Sequence, residues 1–158
     1  MADPKILFSG ITAVDFADSV TVIQPVNLYG CKIASHVFIG PFVEIQKGAE
    51  VGPRTKIQSH SFICELVTIG ADCFIGHGVM FINDLFQDGG PALGDREKWR
   101  KTTIGNNVSI GSNATILPVD ICDRVVIGAG SVVTKNIMIP GIYAGNPARF
   151  LGDLPDDA

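Results

Sequence analysis

From Ile33 to Phe81 every sixth residue is aliphatic or aromatic: Ile33, Ile39, Ile45, Val51, Ile57, Ile63, Ile69, Ile75 and Phe81. Four residues after each of these comes Val37, Val43, Ala49, Thr55, Ser61, Val67, Cys73, Val79 or Leu85. Eight of these nine are small or β-branched. A period of six matches neither the face of a helix nor the alternation of a long strand. It predicts a short strand, a corner and another short strand. Three such sides close a triangular coil of about 18 residues, and coils stack about 4.8 Å apart through parallel ladders. Upstream, Val14, Val20 and Val26 carry the same step, with one extra residue before Ile33. Downstream the step resumes at Ile104, Ile110 and Ile116, loses one residue, and continues through Ile121, Ile127, Val133 and Ile139. The expected fold is all-β, a parallel β-helix forming one domain over residues 1–158.

Composition agrees. The 158 residues include 19 Ile and 15 Val against 8 Leu, and branched residues favour strands. This excludes a helical bundle. Hydrophobic residues make up 46% and charged residues 18%, so the chain has the means to bury a core and is not disordered. No apolar run approaches the roughly 20 residues of a membrane helix. Asp3, Asp15 and Asp18 argue against a signal peptide, so the expected location is cytoplasmic. A net charge of −4 argues against nucleic acid, which selects a broad basic surface. Cys31, Cys64, Cys73 and Cys122 form no CxxC pair and read as reduced, buried small residues.

One interruption stands out. Phe81 and Ile104 are 23 residues apart where six would do, and the excess holds Gly89-Gly90-Pro91, several charges and the sole tryptophan, Trp99. Long excursions from a regular scaffold are usually functional, so residues 84–102 are expected to form a working loop. After about residue 142 the repeat lapses. Residues 142–158 are expected to form a cap or short helix over the open end, finishing in a frayed acidic tail.

Stacking arithmetic places chemistry on this frame. Residues 18 apart share a corner column, so Pro41, Ser59 and His77 align, followed beyond the loop by Ser112 and Ala129. The position before them includes Gly76, Gly111 and Gly128. A lane of very small residues therefore runs above His77, wide enough for a narrow ligand arm. His60 lies beneath Gly78 in the adjacent column. On the next corner Glu65 lies directly beneath Asn83.

The segments Ile104–Ile116 and Ile127–Lys135 resemble the acetyl-CoA-binding half of the hexapeptide-repeat transferase family, as does Ala144-Gly145-Asn146-Pro147-Ala148-Arg149. The resemblance runs from about Val14 to Arg149. It implies a left-handed helix, a homotrimer with sites between subunits, and acetyl-CoA as cosubstrate. The pantetheine arm would follow Gly111, Ser112 and Ala129. Asn146 and Pro147 would close over the adenine end, and Lys135 and Arg149 would meet phosphates. The segments Ile57–Glu65 and Gly76–Asp84 resemble the branch that N-acylates amino groups of nucleotide-linked sugars, in which the Asn-Asp pair lies near the sugar amine. That carries over to Asn83 and Asp84. The glycine usual after the Leu-Pro of Ile116-Leu117-Pro118 is absent here.

Acyl transfer to an amine needs a neutral amine, a polarised thioester carbonyl and a thiolate that can leave. Asp84 can orient an ammonium and share its proton. Asn83 can accept from the amine or donate to an oxyanion. His77 or His60 can serve as base, although an amine can also lose its proton without one. Glu65 is a candidate to orient Asn83 or the substrate. Arg100, with Arg96, Lys98 and Lys101, offers charge toward a nucleotide diphosphate or forms a solvated loop face. His36 reads as a surface residue. His77 and Asn83 occupy neighbouring corners roughly 13 Å apart at the usual strand rise. The expected site is therefore composite, with His77 from one subunit and Asn83–Asp84 from the next. Three rivals remain: O-acetylation of a sugar or serine hydroxyl, a zinc enzyme of the carbonic anhydrase type, and a non-catalytic sugar-binding scaffold. The zinc reading is weakened because the histidine spacings of 24 and 17 lack the close pair it expects. No metal is expected.

Overall fold

The structure, a computed structural model, describes residues 5, 7 and 9–155; Asp3 and the acidic tail beyond Pro155 lie outside them. Short strands stack into three sheets that form the faces of a triangular prism. Face A runs from Ile11–Thr12 through Asn27–Tyr29, Glu44–Ile45, Phe62–Ile63, Met80–Phe81 and Thr115–Ile116 to Val132–Val133. Face B includes Glu50–Val51, Val67–Ile69 and Thr102–Ile104, and face C includes Lys56–Ile57, Phe74–Ile75 and Ser109–Ile110. Among the described residues every pairing is parallel except one near the C-terminus. This is the expected parallel β-helix.

The ladder registers carry the sixfold pattern into packing. Ile45 pairs with Ile63, Val51 with Ile69, and Ile57 with Ile75, each 18 residues apart. All nine residues from Ile33 to Phe81 at the sixfold step are buried in one continuous core. The accompanying small column is buried too, apart from Leu85, which is exposed in the loop. Its two hydroxyls find partners: Thr55 Oγ1 donates to the Gly70 carbonyl at 2.9 Å, and Ser61 Oγ to that of Gly76 at 2.8 Å.

The corners explain how so short a repeat turns. His36, Phe42, Gly48, Arg54, His60, Leu66, Asp72 and Gly78 recur every sixth residue, and each has positive φ. This left-handed residue bends the chain at every corner; only two of the eight are glycine, so the signal is hidden from composition. Glycine is required two positions earlier, where coils approach closely. A Cβ on Gly76 would stand 2.7 Å from the Ile110 carbonyl oxygen, and one on Gly70 2.5 Å from that of Gly105.

Three expectations change at the ends. In the first coil the residues in register are Phe16, Val22 and Leu28, which pair with Ile33, Ile39 and Ile45. Val14, Val20 and Val26 sit two residues earlier, also facing inward. The step into Ile33 is therefore one residue short, not one long. In the last coil Ile137, not Ile139, bridges to Ile121, and Ile139 is two-thirds exposed. The cap is a hairpin and not a helix: Gly141–Ala144 and Arg149–Gly152 pair antiparallel, with the Tyr143 and Phe150 rings edge to face at 5.3 Å.

Candidate active site

The corner between faces C and A carries the column of Ser59, His77 and Ser112. Backbone bonds climb it coil by coil: Gly78 N donates to Ser59 O, Asn113 N to His77 O and Gly130 N to Ser112 O. His77 is exposed, and its Nδ1 lies 2.9 Å from Ser59 Oγ. That bond fixes the ring and leaves Nε2 facing outward. Gly111 and Gly128 keep the lane above His77 narrow, because a Cβ on either would strike the coil above. The hairpin turn continues the same column. Gly145 N donates to Ser131 Oγ at 3.1 Å, Val132 N to Gly145 O at 2.9 Å, and Ala148 N to Val132 O at 2.8 Å. Ser112, Ala129, Asn146, Pro147 and Arg149 are thus brought to one edge. Lys135 is not; it follows Val133 and stands on the A–B corner.

That A–B corner carries Glu65 and Asn83, as the spacing predicts. Asn83 Nδ2 donates to the Glu65 backbone carbonyl at 3.3 Å, which turns Asn83 Oδ1 away from the helix as a free acceptor. Glu65 is mostly buried. Arg96 of the loop forms an ion pair with it. The contact is one of charge, since the buried Oε2 receives no aligned hydrogen bond. The loop thus folds Arg96 back onto the column, where it meets a protein carboxylate.

Asp84 organises that loop. Its Oδ1 accepts from Phe86 N at 2.9 Å and its Oδ2 from Ala92 N at 2.7 Å. The Ala92 and Phe86 amides, with help from the nearby Lys98 charge, hold its carboxyl below the usual carboxylate range. An oxygen pair so occupied offers charge to a cation more readily than it takes a proton. Arg100 is spent within the loop: its backbone N donates to Asn83 O, and its guanidinium to Glu97 O and Gln87 Oε1. Lys98 pairs with Asp88 at 2.7 Å. A single 3₁₀ turn at Arg96–Lys98, capped by Asp95, completes the excursion.

His60 lies on the C–A corner but one position beyond His77, its ring stacked on Phe42 at 4.8 Å. His36 occupies the B–C corner. The three histidines therefore do not converge, and among the described residues no group of three His, Cys, Asp or Glu side chains is placed to hold a metal. Within one chain His77 and Asn83 stand at opposite ends of the strand Met80–Phe81. Ser59, which the 18-residue arithmetic puts beneath His77, is a site residue that its small polar side chain does not announce. No helix among the described residues is long and apolar enough to cross a membrane.

Stacked six-residue steps, glycine-lined corners and one loop rooted beside an Asn-Asp pair define a parallel β-helix built from hexapeptide repeats. The profile described as bacterial transferase hexapeptide matches residues 30–65, and that of the hexapeptide repeat of succinyl-transferase matches residues 101–135. The chain belongs to the hexapeptide-repeat transferases. The bifunctional protein GlmU of Streptococcus uberis is 37% identical over 149 residues, covering 90% of this chain; the match spans only 29% of that protein. A galactoside acetyltransferase in complex with coenzyme A is 30% identical with a TM-score of 0.67, covering 79% of this chain and 66% of that one. A mutant of GDP-perosamine N-acetyl transferase from Caulobacter crescentus, in complex with CoA and GDP-perosamine, shares the fold. Its TM-score is 0.62 over 92% of this chain and 59% of that one, at 21% identity.

Proposed function

We propose that the chain transfers an acetyl group from acetyl-CoA to an amino group on a nucleotide-linked sugar. The observation that carries this reading is the A–B corner. The outward Asn83 Oδ1 and the ionised Asp84 form an acceptor-rich wall suited to an ammonium group and then to the amine N–H bonds that remain. The solved relatives that contain CoA, among them the galactoside enzyme, support the donor. Its arm would lie on the Gly111, Ser112 and Ala129 lane, with its thioester near His77 and its far end near Asn146, Pro147 and Arg149.

The site is composite in this reading. A homotrimer that sets the C–A corner of one subunit against the A–B corner of the next brings His77 to Asn83. It also brings Lys135 to the hairpin end of the lane, so that Lys135 and Arg149 flank the coenzyme phosphates. Asn83 Oδ1 accepts from the amine as its nitrogen attacks the thioester carbon. Backbone amides of the lane polarise the carbonyl. The C–S bond breaks as the tetrahedral intermediate collapses, and the amine proton passes to His77 Nε2 or to the departing thiolate.

A second reading is O-acetylation, favoured by one observation. Ser59 fixes the His77 ring with Nε2 free, the arrangement a hydroxyl nucleophile requires of its base. Thiol release from acetyl-CoA, measured with UDP- and dTDP-linked amino sugars, plain sugars and serine, separates the two. Release with a nucleotide amino sugar alone is the expected result. Release only with hydroxyl acceptors overturns it.

A further inference from the structure

Below the site, toward the N-terminal end, the C–A corner opens into a cavity of about 280 Å³ whose lining includes Pro25, Asn27, Phe42 and Glu44. Nothing in the transfer chemistry uses it. We infer that this cavity is the nucleobase subsite of the acceptor, with Phe42 as the stacking surface; the inference rests on the nucleotide-sugar reading above.

Height along the prism is the first argument. Phe42 lies one coil below His60, which lies one coil below Gly78, the neighbour of His77. The cavity is thus about 10 Å beneath the reacting level at the usual ladder spacing. A nucleotide-linked sugar places its pyranose, two phosphates and a ribose between the amine and the base. With the amine at the His77 and Asn83 level and the coenzyme arm running up the lane, the nucleotide has only the downward direction. Its phosphates then cross the His60 coil, and the base arrives at Phe42.

The lining suits a base. Phe42 is 55% exposed, a large apolar ring held at a positive φ of 62°. The His60 ring covers one part of it at 29° to its plane, and the remainder faces the cavity beside Pro25. Sequence-tolerant stacking on such a ring is how proteins hold bases. The polar side is fixed in advance. Glu44 accepts from Asn27 Nδ2 at 3.0 Å and from Gln46 Nε2 at 2.9 Å, so its carboxylate is oriented with lone pairs to spare. Together with Asn27 Oδ1 it presents acceptors to the N–H groups on the pairing edge of a base. On the same coil, across face A, Lys47 is exposed and has no ion-pair partner among the described residues. In the trimer proposed above its corner faces this one, which sets a cation one coil below the phosphates.

The test titrates the full chain with UDP, dTDP and GDP separately and measures KM for the matching amino sugar. Wild type is expected to bind one of the three. Phe42→Ala should weaken that nucleotide and raise the acceptor KM on the order of tenfold, Phe42→Tyr should restore both, and acetyl-CoA affinity, kcat and subunit number should hold. Unchanged nucleotide affinity in Phe42→Ala overturns the subsite. So does loss of the trimer in that variant without a nucleotide-specific effect, which would make Phe42 a subunit contact. Wild type that N-acetylates free amino sugars and binds no nucleoside diphosphate overturns the subsite and leaves amine transfer standing. Transfer only to hydroxyls, with nucleotide binding still lost in Phe42→Ala, upholds the subsite and overturns the amine reading.

Discussion

Asn83 donates its side-chain amide to the Glu65 backbone carbonyl one coil below, and that single bond decides which end of the amide faces the substrate. Its oxygen is left as an acceptor. Asn83→Ala is therefore expected to lower kcat/KM for the amine acceptor on the order of a hundredfold, the usual cost of one group aimed at a reacting centre. Acetyl-CoA affinity should stay near wild type. Steady-state thiol release with both substrates varied checks this; an equal loss of acetyl-CoA affinity would make Asn83 a structural post of the corner.

Much of this corner was readable in advance. The step of six fixed which residues face the core, and adding 18 put Glu65 under Asn83 and Ser59 under His77. The phase of the first coil was not readable, because Val26 and Leu28 both face inward and both lie on six-residue series. Register there depends on ladder pairing, which side-chain type does not reveal. The corner conformation was hidden for a related reason: Phe42, Arg54, His60 and Leu66 take left-handed backbone without the glycine that would announce it. The wiring of the loop was not legible. Asp84 reaches the amide of Ala92, eight residues away, and Arg96 reaches back to Glu65. No periodicity encodes such contacts.

The Ser59–His77 hydrogen bond bears on the identity of the nucleophile. General-base assistance contributes about 10²–10⁴-fold, and a hydroxyl needs it far more than an amine. For an amine acceptor, His77→Asn is expected to cost less than about a hundredfold and to recover as pH rises, because the amine then loses its proton unaided. The pH profile of kcat for His77→Asn against wild type reads this. A loss that higher pH fails to repair would move the chain to the hydroxyl reading.

The four cysteines differ in how reachable they are. Burial pushes the Cys64 thiol up to about 12 and that of Cys31 up to about 11, and Cys73, also buried, is raised as well. Cys122 is the least enclosed. The thiolate is the reactive form, so iodoacetamide at pH 8 should modify Cys122 first and spare the other three until the protein unfolds. Mass spectrometry of peptides from native and denatured samples follows each site; early labelling of Cys64 would mean the coil around it opens readily.

Asp84 makes the loop sensitive to acid. Its carboxyl lies below the usual carboxylate range, chiefly because the Ala92 and Phe86 amides donate to it and secondarily because Lys98 is near. A carboxylate whose folded pKa is depressed contributes its full effect above the unfolded value, about 3.9. That contribution falls away as pH drops toward and through the depressed folded value. Loop order, followed by Trp99 fluorescence and by protease cutting between Leu85 and Asp95, should therefore hold at pH 5 and fail only below about pH 4. Asp84→Ala removes both acceptors at once. It should leave the loop open to protease at neutral pH and abolish the acid transition, while the core, which Asp84 does not touch, keeps its thermal midpoint. An Asp84→Ala loop as resistant as wild type would show that Arg96 on Glu65 and Arg100 on Gln87 hold the excursion without it.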